Sequence, residues 1–232
     1  MSQEDYDRLL NLVKQRRTIR RFKPDPVPEG CIEKIIEVAR WAPSGFNTQP
    51  WEFVVVKKKE VKEAIIKALD KYAPPITKAE SSEPSLDISR SSFRDAPVFI
   101  IALTDWRAKA GLPGHPTEIN PMVSSVYASS MAGAFLFLHL AATSLGLASQ
   151  WYTAASRHEA ECEIRNIIGF PEDLSIYDMM VIGYPEASPN PKELRGLAGM
   201  IHYDDCGHQD FRTDEQVLAD VQRAWDWCMS EH

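Results

Sequence analysis

The chain has 232 residues, 44% of them hydrophobic and 25% charged, enough for one sizeable core and a single domain. A formal net charge of -7 and a pI near 5.4 argue against the broad basic face that a nucleic-acid surface needs. Cys31, Cys162, Cys206 and Cys228 are scattered, without C-x-x-C spacing or paired histidines, which argues against a metal site; with no signal-peptide pattern at the N-terminus, a reducing cytoplasm is the simpler location.

The first predicted element is a helix from about Glu4 to Arg16, with Tyr6, Leu9, Leu10 and Val13 at helical spacing. It runs into Arg16-Arg17-Thr18-Ile19-Arg20-Arg21-Phe22, four guanidiniums and a hydroxyl within seven residues. A second helix is expected from Pro28 to Trp41, with Ile32, Ile35, Ile36 and Ala39 as its apolar stripe, stopped by Pro43, which disfavours helical geometry at Ala42. Next comes a stiff, proline-flanked loop, Pro43-Ser44-Gly45-Phe46-Asn47-Thr48-Gln49-Pro50, leading into a strand at Trp51 to Val56 and a helix near 60–71.

Residues 73–92 lack apolar periodicity and read equally as a lid that sets substrate choice or as a surface insertion. Pro97 to Leu103 is a continuous apolar run suited to a strand buried on both faces, and Trp106 to Pro121, with its glycines and prolines, should be irregular; residues 73–121 together form the expected substrate region. A long helix over Met122 to Leu145 carries Ser125, Ala128, Ser129, Ala132 and Gly133, small residues suited to close helix approach inside the fold or across a dimer interface. Its most apolar stretch, Met131 to Ala142, falls short of the roughly 20 residues of a membrane span, and His139 within it reads as a hydrogen-bonded core residue. Strands at Ala148 to Thr153 and Met179 to Tyr184 flank a helix with Ile164, Ile167 and Ile168. The C-terminal helix, within 213–232, either closes the core or embraces a partner subunit.

The fork-shaped donors of Arg16 to Arg21 suit a nucleotide phosphate, although an arginine-rich helix end is more often simply solvated. Ser44, Asn47 and Gln49 could hydrogen-bond a planar heterocycle or merely cap their own loop. No Ser-His-Asp or Cys-His arrangement is apparent, and no G-x-G-x-x-G offers a permanent dinucleotide site.

Together the two segments, Arg16 to Phe22 and Pro43 to Trp51, resemble the nitroreductase family of flavoproteins, and the resemblance continues through Gly146-Leu147, Gly169 to Glu172, Val181 to Pro185, Arg195 to Leu197 and Ile201 to Tyr203. It implies an α+β fold with a central mixed, mostly antiparallel sheet flanked by helices, an intertwined homodimer, FMN at the subunit interface and NADH or NADPH as the electron donor. Carried over by position, Arg16 meets the phosphate, Arg20 the pyrimidine edge, and Arg17 and Thr18 complete the first motif. Arg195, aided by Lys192, reaches the phosphate from the far end of the chain. Pro43, Ser44, Asn47 and Gln49 contact the flavin, in many members from the opposite subunit. Where many relatives carry a cysteine and a glycine pair, this chain has Thr153-Ala154-Ala155, and Thr153 could donate to the flavin N5. Trp151 and Tyr152 beside it are cofactor contacts or core. The implied reaction passes electrons by a ping-pong sequence to a small planar acceptor such as a nitroaromatic or quinone. Deiodinase-like reductive dehalogenation, a flavin-binding redox sensor without turnover, and a helical module with an anion patch are the rivals.

Overall fold

Strand β3 (Val98–Asp105) is apolar on both faces, buried along its length except at Asp105, and everything else is arranged around it. In this computed structural model the described residues are 2–72, 92–111, 121–189, 192 and 194–230. They fall into two compact units, Met1–Ala187 and Ser188–His232.

The first unit is built on a sheet in which β3 lies between β2 (Trp51–Val56) and the 12-residue β5 (Leu174–Pro185). The other edge of β5 takes β4 (Ala148–Tyr152), and its end takes β1 (Phe22–Lys23). These ladders are all antiparallel, and one parallel bridge, Thr18 to Ser149, makes the sheet mixed as expected. On one face, α2 (Cys31–Ala39) and α4 (Pro121–Ser144) pack with Ile100, Ala102, Met180 and Ile182. On the other, α3 (Lys59–Tyr72) and α5 (His158–Ile168) cover Phe99, Ile101, Met179 and Val181. Burying both faces of the sheet between helices is what lets β3 and β5 be so apolar.

Four local features bear on the sequence expectations. Helix α2 starts at Cys31 because Gly30, just before it, adopts a left-handed φ of 76°, which ends the Pro28 turn. The irregular segment expected from Trp106 opens as a 3-10 turn to Gly111, and residues 112–120, like the expected lid at 73–91, lie outside the described residues. Strand β5 begins at Leu174, five residues before the expected start, because tertiary pairing with β3 recruits Ser175, Tyr177 and Asp178, which have little strand signal as a group. Helix α1 (Gln3–Gln15) is amphipathic, yet Tyr6, Leu9 and Val13 are exposed and no residue of the helix is fully buried.

A β-bulge interrupts β5. Ala102 faces Asp178 while Leu103 faces Ile176, so Tyr177 is the extra residue. The slip lets Ile176 and Met179, three positions apart, enter the same core cluster and turns Tyr177 and Asp178 together toward Trp151. Helix α4 is long and apolar enough to cross a membrane by length and composition, but its face of Tyr127, Met131, Ala134, Phe135 and Leu138 is buried in the protein.

The second unit holds two short 3-10 turns, Leu197–Gly199 and His208–Asp210, and α6 (Asp214–Ser230). Asp220 on α6 pairs with Arg212 at 2.6 Å and with Arg223. Leu218, Val221 and Trp225 on the same helix are exposed.

Phe135 is fully buried and sets its ring edge-on against His139, Trp151 and Tyr177. Phe135→Ala removes that keystone and should cost about 3–5 kcal/mol of unfolding free energy, read from the urea midpoint. A loss below about 1 kcal/mol would show that this face does not hold the sheet and α4 together.

Candidate functional site

The basic segment begins where α1 ends. Arg16 caps the helix in extended geometry, its N–H still bonded to the Leu12 carbonyl, and the chain then runs along the free edge of β4. There Thr18 pairs with Ser149, and the Ile19 amide donates to the Ser149 carbonyl at 3.0 Å. Arg16, Arg17, Thr18 and Arg20 are all half-buried. Burial, and after it the neighbouring Arg17, push the Arg16 guanidinium below its ordinary range. Two like charges are thus held together in a partly desolvated place, the condition that an anion relieves.

Ser149 also ties this arm to the core. Its Oγ lies 2.7 Å from Nδ1 of His139, a residue of α4 that is 1% exposed. Burial, helped by the positive charge of Arg16, lowers His139 to about 3, so the imidazole is neutral at physiological pH. The expected core role of His139 is what the structure shows: its ring stacks on Trp151, centroids 5.4 Å apart and planes 7° from parallel. Gln150, next along β4, is buried, and its Oε1 has no hydrogen-bond partner among the described residues.

The Tyr152 ring is buried and the Trp151 ring partly buried. Tyr152 is 9% exposed and packs on Phe93 at 4.8 Å, and Trp151 is wedged among Phe135, His139 and Tyr177. Tyr152 belongs to the core, and Trp151 packs against it while staying partly exposed. Thr153, the next residue, is exposed at the head of a 3-10 turn, Thr153–Ser156. Asp178 reaches this turn from β5. Its Oδ2 accepts the indole N–H of Trp151 at 2.5 Å, and its Oδ1 lies 3.4 Å from Ser156 Oγ. Burial raises the Asp178 carboxyl to about 6, against the pull of those two donors.

The loop Pro43 to Pro50 is fixed separately, on the N-terminal half of α4. Gly45 N–H donates to Ser130 Oγ at 3.1 Å, and that hydroxyl donates to the Val126 carbonyl at 2.7 Å. Ser44 Oγ accepts the Gln49 N–H at 3.0 Å, and Thr48 Oγ1 donates to the Gly45 carbonyl at 2.9 Å. Ser44 therefore closes the loop while its hydroxyl proton is left to donate elsewhere. Phe46, Asn47 and Gln49 hold left-handed φ of 54°, 55° and 47°, strained positions for residues with side chains, and all three are exposed with Pro43 beside them.

One helix thus carries two anchors, Ser130 for the loop and His139 for the basic arm, nine residues or roughly 13 Å apart along its axis. Lys192 and Arg195 belong to the second unit. Both are exposed, and Arg195 donates to the Gly199 carbonyl at 2.9 Å. Sequence reasoning missed Ser130, Ser149 and Asp178, all of which act through tertiary contacts. The one available signal was a lone aspartate against the apolar run Met179 to Ile182. Among the described residues no group of His, Cys, Asp and Glu could hold a metal ion, and Cys31, Cys162 and Cys206 are free thiols.

This sheet, with its helices on both faces and a basic arm along β4, is that of a known class. The model of the nitroreductase family matches residues 13–184, and the chain belongs to that family. A Methanothermobacter thermautotrophicus protein, named as a candidate NADH dehydrogenase/NAD(P)H nitroreductase, is 27% identical over 186 residues, 80% of this chain and 82% of its own. The iodotyrosine deiodinase of Thermotoga neapolitana is 27% identical over 191 residues, 79% of this chain and 91% of its own. Among solved structures, an FMN-dependent nitroreductase of Clostridium difficile superposes with a TM-score of 0.63 at 22% identity, over 85% of this chain and 99% of that one.

The loop geometry depends on a close approach at Gly45, where an added Cβ would sit 2.2 Å from Val126 Cγ1. Gly45→Ala should destabilise the protein by about 1–3 kcal/mol, and Val126→Ala in the same chain should restore much of the loss. Thermal or urea unfolding of the two single variants and the double variant reads this directly, and strict additivity would show that the loop does not rest on α4 here.

Proposed function

We propose that the protein is an FMN-dependent oxidoreductase that takes electrons from NADH or NADPH and passes them, in a ping-pong sequence, to a planar acceptor such as a nitroaromatic or a quinone. The observation that carries this reading is the half-buried Arg16 and Arg17 pair, whose chain leads along β4 toward Thr153. An arginine disfavoured by burial and by its neighbour fits a phosphate, whose charge offsets both effects. The family membership supports it, as do relatives named for NAD(P)H nitroreductase and FMN-dependent nitroreductase activity.

FMN, when bound, supplies hydride acceptance from the nicotinamide and electron delivery to the acceptor. The chain's own residues bind and orient it. Arg16 and Arg17 hold the phosphate. Arg20 places positive charge by the pyrimidine edge, where negative charge collects on reduction, and Thr18 adds a hydroxyl. Thr153 offers its hydroxyl or N–H at the redox-active edge. Pro43, Ser44 and the strained Asn47 and Gln49 face the ring of the partner subunit's cofactor. That last assignment makes the enzyme a homodimer. It is supported by the exposed apolar faces of α1 and α6, and by Ser125, Ala128 and Ser129, exposed on α4.

One observation favours a second reading, reductive dehalogenation. Thr153 stands exposed at the head of its turn where many family members carry cysteine, and the Thermotoga neapolitana relative is an iodotyrosine deiodinase. The two readings share the cofactor and differ in the acceptor.

The purified protein should be yellow. It should bleach with NADH or NADPH under anaerobic conditions and recover its colour when a nitroaromatic or quinone is added; recovery only with a halogenated phenol would favour the second reading. Arg16→Ala should weaken FMN binding by about 10- to 100-fold, as expected for a charged hydrogen bond to phosphate, measured by quenching of FMN fluorescence. Unchanged affinity would remove Arg16 from the site, and a chain that binds no FMN at all would end the proposal.

A further inference from the structure

We propose that Asp178 is a positioning residue for the turn Thr153–Ser156, holding it through Trp151 just before it and Ser156 at its end, and that its protonation is felt at the flavin. The inference rests on the FMN reading above. A carboxylate within a buried strand is costly, and an apolar residue there would be cheaper. Asp178 is 7% exposed, and the bulge at Tyr177 is the device that turns it toward Trp151. Its two oxygens then engage donors on either side of Thr153: the indole of Trp151, two residues before, and the hydroxyl of Ser156, three residues after.

The proton count makes this arrangement sensitive to charge. Ser156 Oγ has one proton and two acceptors within reach, the Thr153 carbonyl at 2.8 Å and Asp178 Oδ1 at 3.4 Å. With Asp178 ionised, carboxylate and carbonyl compete for that proton. With a proton on Oδ1, the carboxyl donates to Ser156 Oγ, and the Ser156 proton goes wholly to the Thr153 carbonyl. The Trp151 indole proton stays on Oδ2 in both states. The two states therefore differ in how tightly the turn is closed on Thr153, the residue assigned to the redox-active edge.

The surrounding groups leave Asp178 as the one that changes near pH 6. From α4, His139 stacks on the far side of Trp151 and stays neutral down to about pH 3. On β5 itself, Tyr177 is pushed up, first by burial and then by Asp178, so it remains a phenol. On β4, Trp151 does not titrate, and on β3 the facing residue is Ala102. Arg157, after the turn, points away to the Tyr72 carbonyl.

The test compares FMN-loaded wild type, Asp178→Asn and Ser156→Ala. Asparagine keeps an acceptor for the indole and cannot titrate, while Ser156→Ala cuts the link on the turn and leaves Asp178 free to ionise. In the wild type, the bound-flavin absorption band and the rate of its reduction by NAD(P)H should show a transition near pH 6, the rate changing by about threefold or more across it. Asp178→Asn should abolish the transition, and Ser156→Ala should shrink its amplitude severalfold, with FMN stoichiometry unchanged in both. A full-amplitude transition in either variant, or none in the wild type, overturns the inference while the FMN reading stands. Should Asp178→Asn fail to fold, Ser156→Ala decides alone. A wild type that takes up no FMN overturns both.

Discussion

The edge of β4 is the constraint on which the organisation of this protein depends. Ser149 spends its carbonyl on the Ile19 amide and its hydroxyl on His139, so a single strand position fixes both the basic arm and the middle of the central helix. Without that pairing, Arg16 to Arg20 would be the frayed end of α1, solvated like most arginine clusters. With it, the arm is held half-buried alongside the start of β4, and the strand runs on from there to the turn at Thr153. Strand pairing is a backbone interaction, so it positions charge without drawing on the side chains.

The interior behind that edge is more polar than a core needs to be. His139, Trp151 and Asp178 form a continuous layer from α4 across β4 to β5, through one stacking contact and one short hydrogen bond. Phe135 and Tyr177 seal it with edge-on rings. Buried polar groups of this kind define a single arrangement more sharply than aliphatic packing does, because any slip leaves a donor or acceptor unmet. The layer ends at the Thr153 turn, so precision gained inside the sheet is passed to the surface.

Much of this was legible in the sequence because the informative residues are local. Pro43 and Pro50 bracket the loop, the arginines are contiguous, and the apolar runs of β2 and β3 have strand length and composition. What escaped is non-local. Phe22-Lys23 is too short to announce itself and becomes a strand only by lying against Tyr184 and Pro185. The first half of β5 reads as polar because Ser175, Tyr177 and Asp178 are chosen for partners on other elements, Trp106 and Trp151 among them. The apolar stripe of α1 marked the helix, but Tyr6, Leu9 and Val13 are exposed among the described residues, and no local signal distinguishes a core face from an uncovered one. Trp151 and Tyr152, read from the sequence as cofactor contacts or core, alternate along β4 so that each packs on one of the two core clusters, Trp151 only partly buried.

His139 and Asp178 sit two contacts apart and are perturbed in opposite senses, one to about 3 and the other up to about 6. Between roughly pH 4 and 6 the folded chain carries a proton on the carboxyl and none on the imidazole, and the unfolded chain carries the reverse. Alone, His139 would make the fold more stable as pH rises through that window, and Asp178 alone would make it more stable as pH falls. For this pair, unfolding moves a proton from one residue to the other and exchanges none with the solvent. The buried layer is therefore self-buffered, and its two titrating members leave stability level across the mildly acidic range in which either one by itself would tilt it.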